Sequence, residues 1–312
     1  MKAFVTGGAG FIGSHLVDKL LSRGDYVTSF DNLSSGKREF FKNHMKNDKF
    51  KFIESDLSDL KSLKKEIKDH DVVFHIAANP FVRLGEKQTR LDLEQGAIVT
   101  YNILEAMRIN NIKKIAFSSS SVVYAETPDI LIPETYGPTL PISLYGAGKL
   151  AAEGLISAFC GTFGFQAWIF RFANVVGSRG THGVIVDFID KLNKNPEELE
   201  ILGDGKQRKP YLHVSDIVDA ILFGFEYSND QVNLFNIGCD SNTTVTRIAE
   251  MVVEEMGLND VEFKYTGGIR GWAGDVPRFQ LDASKIKKLG WNESCTSDEA
   301  VRKAIREILN NQ

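Results

Sequence analysis

The chain has 312 residues, of which 43% are hydrophobic and 25% are charged, and this composition is typical of an ordinary globular protein. The net charge of −4 and the pI near 5.9 give no broad attraction to nucleic acid or to an anionic membrane, so we expect neither as a partner. Three widely spaced cysteines predict free thiols and no metal site. Because the chain opens on a strand-like run and contains no long apolar stretch, we expect a cytoplasmic protein without a signal peptide or a membrane span.

The first part of the chain alternates short apolar runs with amphipathic helical patterns. The runs predict strands at residues 2–6, 26–30, 50–54, 72–76, 114–117 and 167–172. Apolar residues at i, i+3 and i+4 predict helices at residues 11–22, 60–67, 95–109 and 144–163. Since strands separated by helices pair through right-handed crossovers, we predict an α/β fold with a doubly wound parallel (Rossmann) sheet. Its ligand crevice should lie at the carboxyl ends of the strands.

After Arg171 the alternation becomes less regular. The pattern predicts helices at residues 184–193, 215–226 and 245–256 and from Ser297 onward, and strands at residues 199–202 and 234–237. We therefore predict a main domain formed by residues 1–173 and 211–240. A smaller C-terminal substrate-binding lobe should comprise residues 174–210 and 241–312.

Residues 6–14 read Thr-Gly-Gly-Ala-Gly-Phe-Ile-Gly-Ser, directly between the first strand and the first helix. An early glycine such as Gly7 allows a sharp turn, Gly10 allows the backbone to approach a pyrophosphate, and Gly13 allows the helix to pack closely on the strand. The helix N-terminus presents N–H groups and a positive dipole end to the phosphates. The strand before and the helix after the glycines make this a dinucleotide-binding loop.

The second predicted strand is followed by Asp31, eighteen residues after Gly13. A carboxylate there accepts hydrogen bonds from the adenosine ribose and repels a 2′-phosphate, which favours NAD over NADP. Lys37 and Arg38 lie nearby, but we expect them on the exposed face of the following helix. Asp56-Leu57, directly after the third strand, is positioned to meet the adenine.

Tyr145 and Lys149 are four residues apart on a predicted helix, so both side chains can point to one place. This spacing alone is weak evidence, because a chance match is common in a chain with many lysines. It gains weight from four consecutive serines, residues 118–121, at the end of the fifth strand. That is the edge where the nicotinamide of a bound cofactor should lie.

The chain resembles the extended short-chain dehydrogenase/reductase family over essentially its whole length, and within it the UDP-glucose (UDP-galactose) 4-epimerase branch. The resemblance is carried by residues 6–13, Asp31-Asn32, residues 118–124, Tyr145-x-x-x-Lys149 and residues 171–174. It implies a catalytic triad of Ser120, Tyr145 and Lys149. It also implies cofactor contacts from Phe11, Ile12, Asn32, Ala77 and Ala78 in addition to the residues derived above.

The roles that the resemblance implies agree with the chemistry of the side chains. A phenol with a pKa near 10 is a poor base at neutral pH, and Lys149 and the oxidised nicotinamide would lower the pKa of Tyr145. Tyr145 would then take a proton from a sugar hydroxyl while a hydride leaves the same carbon for NAD. Ser120 would hydrogen-bond to that sugar oxygen.

The residues after Ser120 separate several reactions that begin with this oxidation. The dehydratase branch has an Asp-Glu pair where this chain has Ser121 and Val122, and decarboxylases of nucleotide-linked uronic acids have Glu at the place of Val122. An enzyme without these carboxylates can remove a hydride and return it. We therefore expect epimerisation of a UDP-hexose at C4, by rotation of the 4-keto intermediate before the hydride returns.

The resemblance also implies a substrate site. Asn174 matches a diphosphate-binding position, Val184, Glu200 and Leu202 fall where the family meets the nucleoside, and Lys209 and Arg270 are candidates for the diphosphate. The chain departs from the pattern in two places: better-known epimerases have Arg at the position of Trp272, and the family has Asn at the position of Gly96.

Two alternatives remain open. The first is another NAD-dependent nucleotide-sugar enzyme, namely a decarboxylase, a dehydratase or a reductase. The second is a non-catalytic NAD-binding protein, although such a protein has no need of the complete triad. The helices at 95–109 and 144–163 carry more apolar surface than one sheet face requires, and the resemblance implies that they form a homodimer interface.

Overall fold

The predicted strands and helices are present along the chain in the predicted order. The structure is a computed structural model that describes residues 1–124, 126–272 and 274–310. Its strands are β1 Lys2–Thr6, β2 Tyr26–Asp31, β3 Phe50–Glu54, β4 Val72–His75, β5 Lys114–Ser120, β6 Leu131–Ile132, β7 Gln166–Phe172, β8 Asn174–Val176, β9 Glu198–Ile201, β10 Arg208–Lys209, β11 Tyr211–His213, β12 Val232–Ile237, β13 Thr243–Thr244, β14 Glu262–Tyr265 and β15 Gln280–Leu281. Its α-helices are α1 Phe11–Ser22, α2 Leu60–Glu66, α3 Thr89–Asp92, α4 Val99–Ile109, α5 Leu144–Phe163, α6 Val184–Lys194, α7 Val214–Tyr227, α8 Val245–Glu255, α9 Ser284–Leu289 and α10 Ser297–Leu309.

The chain divides into two compact units. The first unit comprises Met1–Val123, Leu140–Arg171 and Val218–Phe235, and the second comprises Tyr124–Thr139, Phe172–Ile217 and Asn236–Gln312. That one of them binds a substrate stays a prediction. In the described residues, no helix is long and apolar enough to cross a membrane.

The first unit is built on a central parallel sheet, which has seven strands within the described ranges. Their order is β12-β7-β5-β4-β1-β2-β3. From β1 the sheet extends through β2 to β3 on one side and through β4 to β12 on the other. The prediction of a doubly wound parallel sheet is therefore confirmed. The order reverses between β1 and β4, and the ligand crevice of such a sheet lies at the carboxyl ends of the strands at this point.

Apolar side chains on both faces of the sheet explain why these segments become strands and helices. All four residues of β4 are buried, as expected for a parallel strand that is covered on both faces. Helix α1 buries Leu16, Val17, Leu20 and Leu21 on one stripe, which matches the helical period. Cores of this kind hold the strand ends, and therefore the loops that follow them, in fixed positions.

The helix predicted at residues 95–109 is interrupted. Helix α3 is followed by a π-helical segment, Leu93–Ile98, and only then by α4. This segment approaches α5 so closely that a Cβ on Gly96 would lie 2.8 Å from the Cα of Gly148. A side chain at either position would separate the two backbones. Single π-helical turns often occur at functional sites, and this one lies beside Tyr145 and Lys149.

In the second unit, helices α6, α8 and α10 enclose a separate core. This core contains Ile189, Val252 and Ile305, each fully buried. Helix α10 begins with a capping box, in which Thr296 accepts a hydrogen bond from the N–H of Glu299 and Glu299 accepts one from the N–H of Thr296. Such a box satisfies two N–H groups that the first helical turn leaves without partners.

Replacing Ile305 by alanine should destabilise the chain. Ile305→Ala removes buried methyl groups and leaves a cavity, so the free energy of unfolding should fall by about 2–5 kcal/mol. The matched control is Leu289→Ala at an exposed position of α9, which should change it by less than about 0.5 kcal/mol. Urea unfolding followed by circular dichroism measures both, and equal effects would contradict the assignment of this core.

Candidate active site

The glycine-rich loop (residues 7–13) connects β1 to α1 at the point where the strand order reverses. Gly7 has a φ of +71°, a backbone conformation that side chains with a Cβ rarely adopt. Its N–H donates to the carbonyl of Phe30 over 3.0 Å. A Cβ on Gly13 would lie 2.0 Å from the carbonyl oxygen of Gly7. The tight turn and the close packing of α1 predicted from the sequence are therefore present.

The N-terminus of α1 is open to a ligand. Gly10 is its N-cap, and no side chain caps the helix. A Cβ on Gly10 would meet only the carbonyl of Gly7, at 3.2 Å. Phe11 and Ile12 form the first turn of α1. A helix N-terminus without a side-chain cap leaves N–H groups that suit a pyrophosphate.

Asp31 ends β2 next to this loop. Its side-chain oxygens accept hydrogen bonds from the N–H of Ala9 at 3.0 Å and from the N–H of Leu33 at 2.8 Å. Burial raises the pKa of the Asp31 carboxyl above its usual value, although these two hydrogen bonds oppose the shift. Lys37 and Arg38 are exposed, as predicted, and Arg38 forms an ion pair with a glutamate of β3. In the ion pairs of the described residues, these two cations contact Glu39 and Glu54 and not Asp31.

Asn32 and Asp56 meet after β2 and β3. The side-chain amide of Asn32 donates to the carboxylate of Asp56 over 2.6 Å, and the N–H of Ser58 donates to the other oxygen over 2.8 Å. Burial acts to raise the pKa of Asp56, but these hydrogen bonds outweigh it and the pKa lies below its usual value. The neighbouring Leu57 is buried.

A chain of hydrogen bonds fixes the end of β4 beside the loop. The N–H of Ala77 donates to Thr6 over 3.4 Å, and Thr6 also bonds to His75 over 2.9 Å. The second ring nitrogen of His75 lies 3.0 Å from the hydroxyl of Thr100. Burial, helped by the charge of Lys149, lowers the pKa of His75 to about 3, so this histidine is neutral. It is a packed structural residue.

Tyr145 and Lys149 lie one turn apart on α5. The hydroxyl of Ser143 accepts from the N–H of Gly146 over 3.1 Å and starts the helix. The Nζ atom of Lys149 lies 5.8 Å from the ring centre of Tyr145. It donates to the carbonyl of Ser118 over 2.6 Å. The structure therefore brings the predicted pair together at the carboxyl end of β5.

Burial governs the protonation of both groups. It lowers the pKa of Lys149 to about 7, although the carboxylate of Glu153 opposes the shift. It raises the pKa of the Tyr145 phenol above its usual value, and the negative charge of Asp92 adds to this. Tyr145 can therefore act as a base only where positive charge is close to its oxygen.

Ser120 is the last residue of β5 and is half-buried. Its hydroxyl accepts from the N–H of Val122 over 3.4 Å. Val122 lies just after the end of β5. A Cβ added to Gly146 would lie 2.8 Å from the carbonyl oxygen of Val122. The chain that follows Ser120 thus packs closely against the start of α5 at Val122.

A buried ion pair beneath Lys149 was not predicted. Arg171 at the end of β7 donates to both carboxylate oxygens of Glu153, over 3.0 and 2.6 Å. The hydroxyl of Ser119 donates to the same carboxylate. Residues 171–174 carried the family resemblance, but only the tertiary structure shows that Arg171 pairs with a residue of α5.

One small pocket of the first unit contains the predicted pair. It is lined by Ala78, Asn79, Asp92, Gln95, Gly96, Tyr145 and Lys149. Ala78, Tyr145 and Lys149 were expected here. Asn79 and Asp92 were missed, because both lie outside the strands and helices predicted from the sequence, where Asn and Asp are usually turn residues.

In the second unit, Asp275 joins the two predicted diphosphate ligands. Its carboxylate pairs with Lys209 at 2.5 Å, and its carbonyl accepts from Arg270 at 3.0 Å. Arg270 also pairs with Glu126 at 2.6 Å. Better-known epimerases have an arginine at the position of Trp272, whereas Arg270 lies two residues earlier in this chain. Through Asp275, Arg270 nevertheless lies next to Lys209. Asp275 was not singled out from the sequence.

The other predicted substrate residues are spread over the second unit. Asn174 starts β8 and donates to the carbonyl of Pro210 over 3.5 Å. Val184 is the first residue of α6, Leu202 follows β9, and Glu200 in β9 accepts from Lys191 over 3.3 Å. In the described part of the chain, their hydrogen bonds do not join them to one another. Within the same part, no group of His, Cys, Asp and Glu side chains suits a metal ion.

A sequence model of the NAD dependent epimerase/dehydratase family matches residues 3–238. The chain belongs to this family. It is 37% identical to a putative UDP-glucose 4-epimerase of Methanocaldococcus jannaschii over 98% of both chains. A crystal structure of a UDP-galactose 4-epimerase is similar with a TM-score of 0.89 and 41% identity, over 100% of this chain and 99% of that one. A UDP-glucuronic acid decarboxylase of Arabidopsis thaliana is 30% identical over 99% of this chain and 70% of its own length.

NAD is the cofactor of this epimerase/dehydratase family, and the residues of the first unit fit it. The glycine-rich loop leaves no side chain over the N-terminus of α1, where a pyrophosphate would lie. The carboxylate of Asp31 occupies the position that suits a ribose without a 2′-phosphate. Lys149, Tyr145 and Ala78 line the pocket at the ends of the neighbouring strands.

Gly13→Ala should remove NAD binding. The added Cβ would lie 2.0 Å from the carbonyl oxygen of Gly7, so the loop must shift away from its position under the pyrophosphate. The matched control is Gly154→Ala on α5, where an added Cβ meets nothing within 4 Å. Nucleotide released from the purified protein and its effect on the melting temperature measure the outcome. Equal NAD content in the two variants would contradict this position for the cofactor.

Proposed function

We propose that the chain interconverts UDP-glucose and UDP-galactose by reversible oxidation at C4 of the hexose, which would give it a role in galactose metabolism. The observation that carries the proposal is the pairing of Tyr145 with Lys149 in one buried pocket while Val122, an apolar residue, stands two places after Ser120. A dehydratase or decarboxylase needs a further acid or base at that place. The similarity to two 4-epimerases over nearly the whole chain supports the same activity.

Each residue of the triad has a role that follows from its surroundings. The Tyr145 oxygen takes the proton of the C4 hydroxyl and later returns it. The Lys149 ammonium, fixed by its hydrogen bond to Ser118, lowers the pKa of Tyr145 by its positive charge. Ser120 donates a hydrogen bond to the same sugar oxygen. NAD, when bound, supplies the oxidation of the sugar carbon and its reversal.

Residues of the second unit bind the nucleotide in this proposal. Lys209 and Arg270 would exchange part of their contacts with Asp275 and Glu126 for the oxygens of the diphosphate. Cations already held beside one another lose little side-chain freedom when an anion binds. Asn174 would donate to the diphosphate, and the nucleoside would contact Val184, Glu200 and Leu202.

The protein supplied with UDP-galactose should produce UDP-glucose, resolved by chromatography, without net reduction of NAD. Tyr145→Phe should lower the rate by about 10²–10⁴-fold, because the proton of the sugar hydroxyl loses its acceptor. It should keep its NAD, since the ring remains in the pocket. The matched control is Tyr227→Phe, an exposed tyrosine of α7, which should keep the full rate.

Other assay results would contradict the proposed activity and indicate a different function. Release of carbon dioxide from UDP-glucuronic acid would identify a decarboxylase, as in the Arabidopsis thaliana relative. Accumulation of reduced cofactor, seen by its absorbance, would identify a dehydrogenase or reductase. A protein that holds NAD but converts no UDP-sugar in either the wild-type or the Tyr145→Phe form would be a binding protein.

We also propose that the chain forms a homodimer through α4, α5 and the π-helical segment. The exposed apolar side chains of this surface, called here the helix-pair surface, are Leu93, Ile98, Tyr101, Ile109, Leu144 and Phe163. These side chains lie on three elements that pack against one another, and monomeric proteins rarely expose a large contiguous apolar patch. A second copy of the chain, docked by the same surface, would bury them symmetrically.

The combined substitution of Tyr101 and Ile109 by glutamate should convert the dimer to a monomer, because association would then bury two uncompensated charges on each copy. Size-exclusion chromatography with light scattering measures the mass. Leu289→Glu, at an exposed apolar position outside the helix-pair surface, is the control and should remain a dimer. A monomeric wild-type protein would refute the proposed interface.

A further inference from the structure

The carboxylate of Asp92 is buried without a cationic partner in the described residues. Asp92 is the last residue of α3 and is 2% exposed. One oxygen accepts from the side-chain amide of Asn79 over 3.0 Å, and the other has no hydrogen-bond partner. A Cβ added to Gly85 would lie 2.5 Å from that second oxygen of Asp92. A buried carboxylate with one neutral donor is costly to maintain, so its position calls for a functional reason.

The position of Asp92 relative to α5 is fixed by backbone packing. A Cβ on Gly148 would lie 2.6 Å from the carbonyl oxygen of Asp92, and one on Gly96 would lie 2.8 Å from the Cα of Gly148. Gly148 lies between Tyr145 and Lys149 in the sequence of α5. The start of the π-helical segment is therefore held against the turn of α5 that carries both groups, and Asp92 lines their pocket.

The other charged groups around Tyr145 do not lie in this pocket. Glu153 is paired with Arg171, and His75 is neutral. The elements packed against α5 carry further charges on their outer sides, namely Arg83, Glu86, Arg90, Glu94, Glu105 and Arg108, together with Lys114 on β5. In the described part of the chain, Asp92 and Lys149 are the charged residues that line the pocket with Tyr145.

We propose that Asp92 is a positioning residue whose buried negative charge opposes ionisation of Tyr145 and so balances the positive charges of Lys149 and of the bound cofactor. The inference rests on the proposed function, because it concerns the proton that Tyr145 takes and returns. With the cations alone, the pKa of Tyr145 would be so low that its phenolate would be a weak base and would accept the sugar's proton poorly. The opposing carboxylate keeps Tyr145 close to balance between accepting the sugar's proton and giving it back.

Asn79 completes the arrangement. Its amide donates to Asp92 and to the carbonyl of Phe81, while its side-chain oxygen accepts from the N–H of Phe81. The amide is therefore held in one orientation, with a donor towards Asp92. The Asn79–Asp92 hydrogen bond thus joins the segment after β4 to the segment beside α5.

Asp92→Asn, which keeps the shape and removes the charge, tests the proposal in the protein carrying NAD. The acid limb of the pH profile of UDP-galactose conversion should move to lower pH by about one unit, since a nearby negative charge raises the pKa of a phenol and its loss lowers it. Asp92→Ser removes the same charge and leaves a hydroxyl for the Asn79 amide, so it should give the same shift. Glu94→Gln, an exposed carboxylate of the same segment, is the control and should leave the profile unchanged.

A second measurement needs no sugar substrate. The absorbance of tyrosinate, taken as the difference between each protein and its Tyr145→Phe form, reports ionisation of Tyr145 directly. Its midpoint should fall by about one unit in both Asp92 variants and stay in place in Glu94→Gln. An unchanged midpoint in the Asp92 variants, or an equal shift in Glu94→Gln, would overturn the proposal. The proposed function fails instead if no UDP-sugar is converted while the midpoint still falls.

Discussion

The buried ion pair between Glu153 and Arg171 is the interaction on which the active site depends. It joins α5 to β7, and the hydroxyl of Ser119 joins β5 to the same carboxylate. Lys149, one turn before Glu153, donates to the carbonyl of Ser118. Removing one partner of a buried pair leaves an uncompensated charge, at a cost of about 3–5 kcal/mol. The pair therefore fixes the helix with Tyr145 and Lys149 against the strand end with Ser120.

Burial has opposite consequences for the two groups of α5 that it surrounds. It lowers the pKa of Lys149 to about 7 and raises the pKa of Tyr145. Both shifts favour the neutral forms, because transfer from water penalises any charge. Positive charge brought by a ligand is then felt strongly, since little water screens it. The protonation of Tyr145 in this pocket therefore depends on the charges that are placed beside it.

Much of the fold could be predicted from local patterns, whereas several site residues could not. The apolar runs predicted β1 and β3 to the residue, and the glycine spacing located the loop before α1. The π-helical segment was missed, because it results from the approach of Gly96 to Gly148, two residues far apart in the sequence. Asp92 and Asp275 were missed for a related reason. Their sequence neighbours are typical of turns and loops, whereas Asp92 is important because it lies near Tyr145 and Asp275 because it pairs with Lys209.

The sequence by itself determined the doubly wound sheet, the dinucleotide loop and the spacing of Tyr145 and Lys149, because each depends on the period of a strand or helix or on a short stretch of backbone. Only the tertiary structure decided which charged side chains are buried and which residues they pair with. Glu153 meets Arg171 across 18 residues of sequence, and Asp92 meets Asn79 within a pocket formed by three segments. Burial and pairing depend on contacts between distant segments, and no local pattern encodes them.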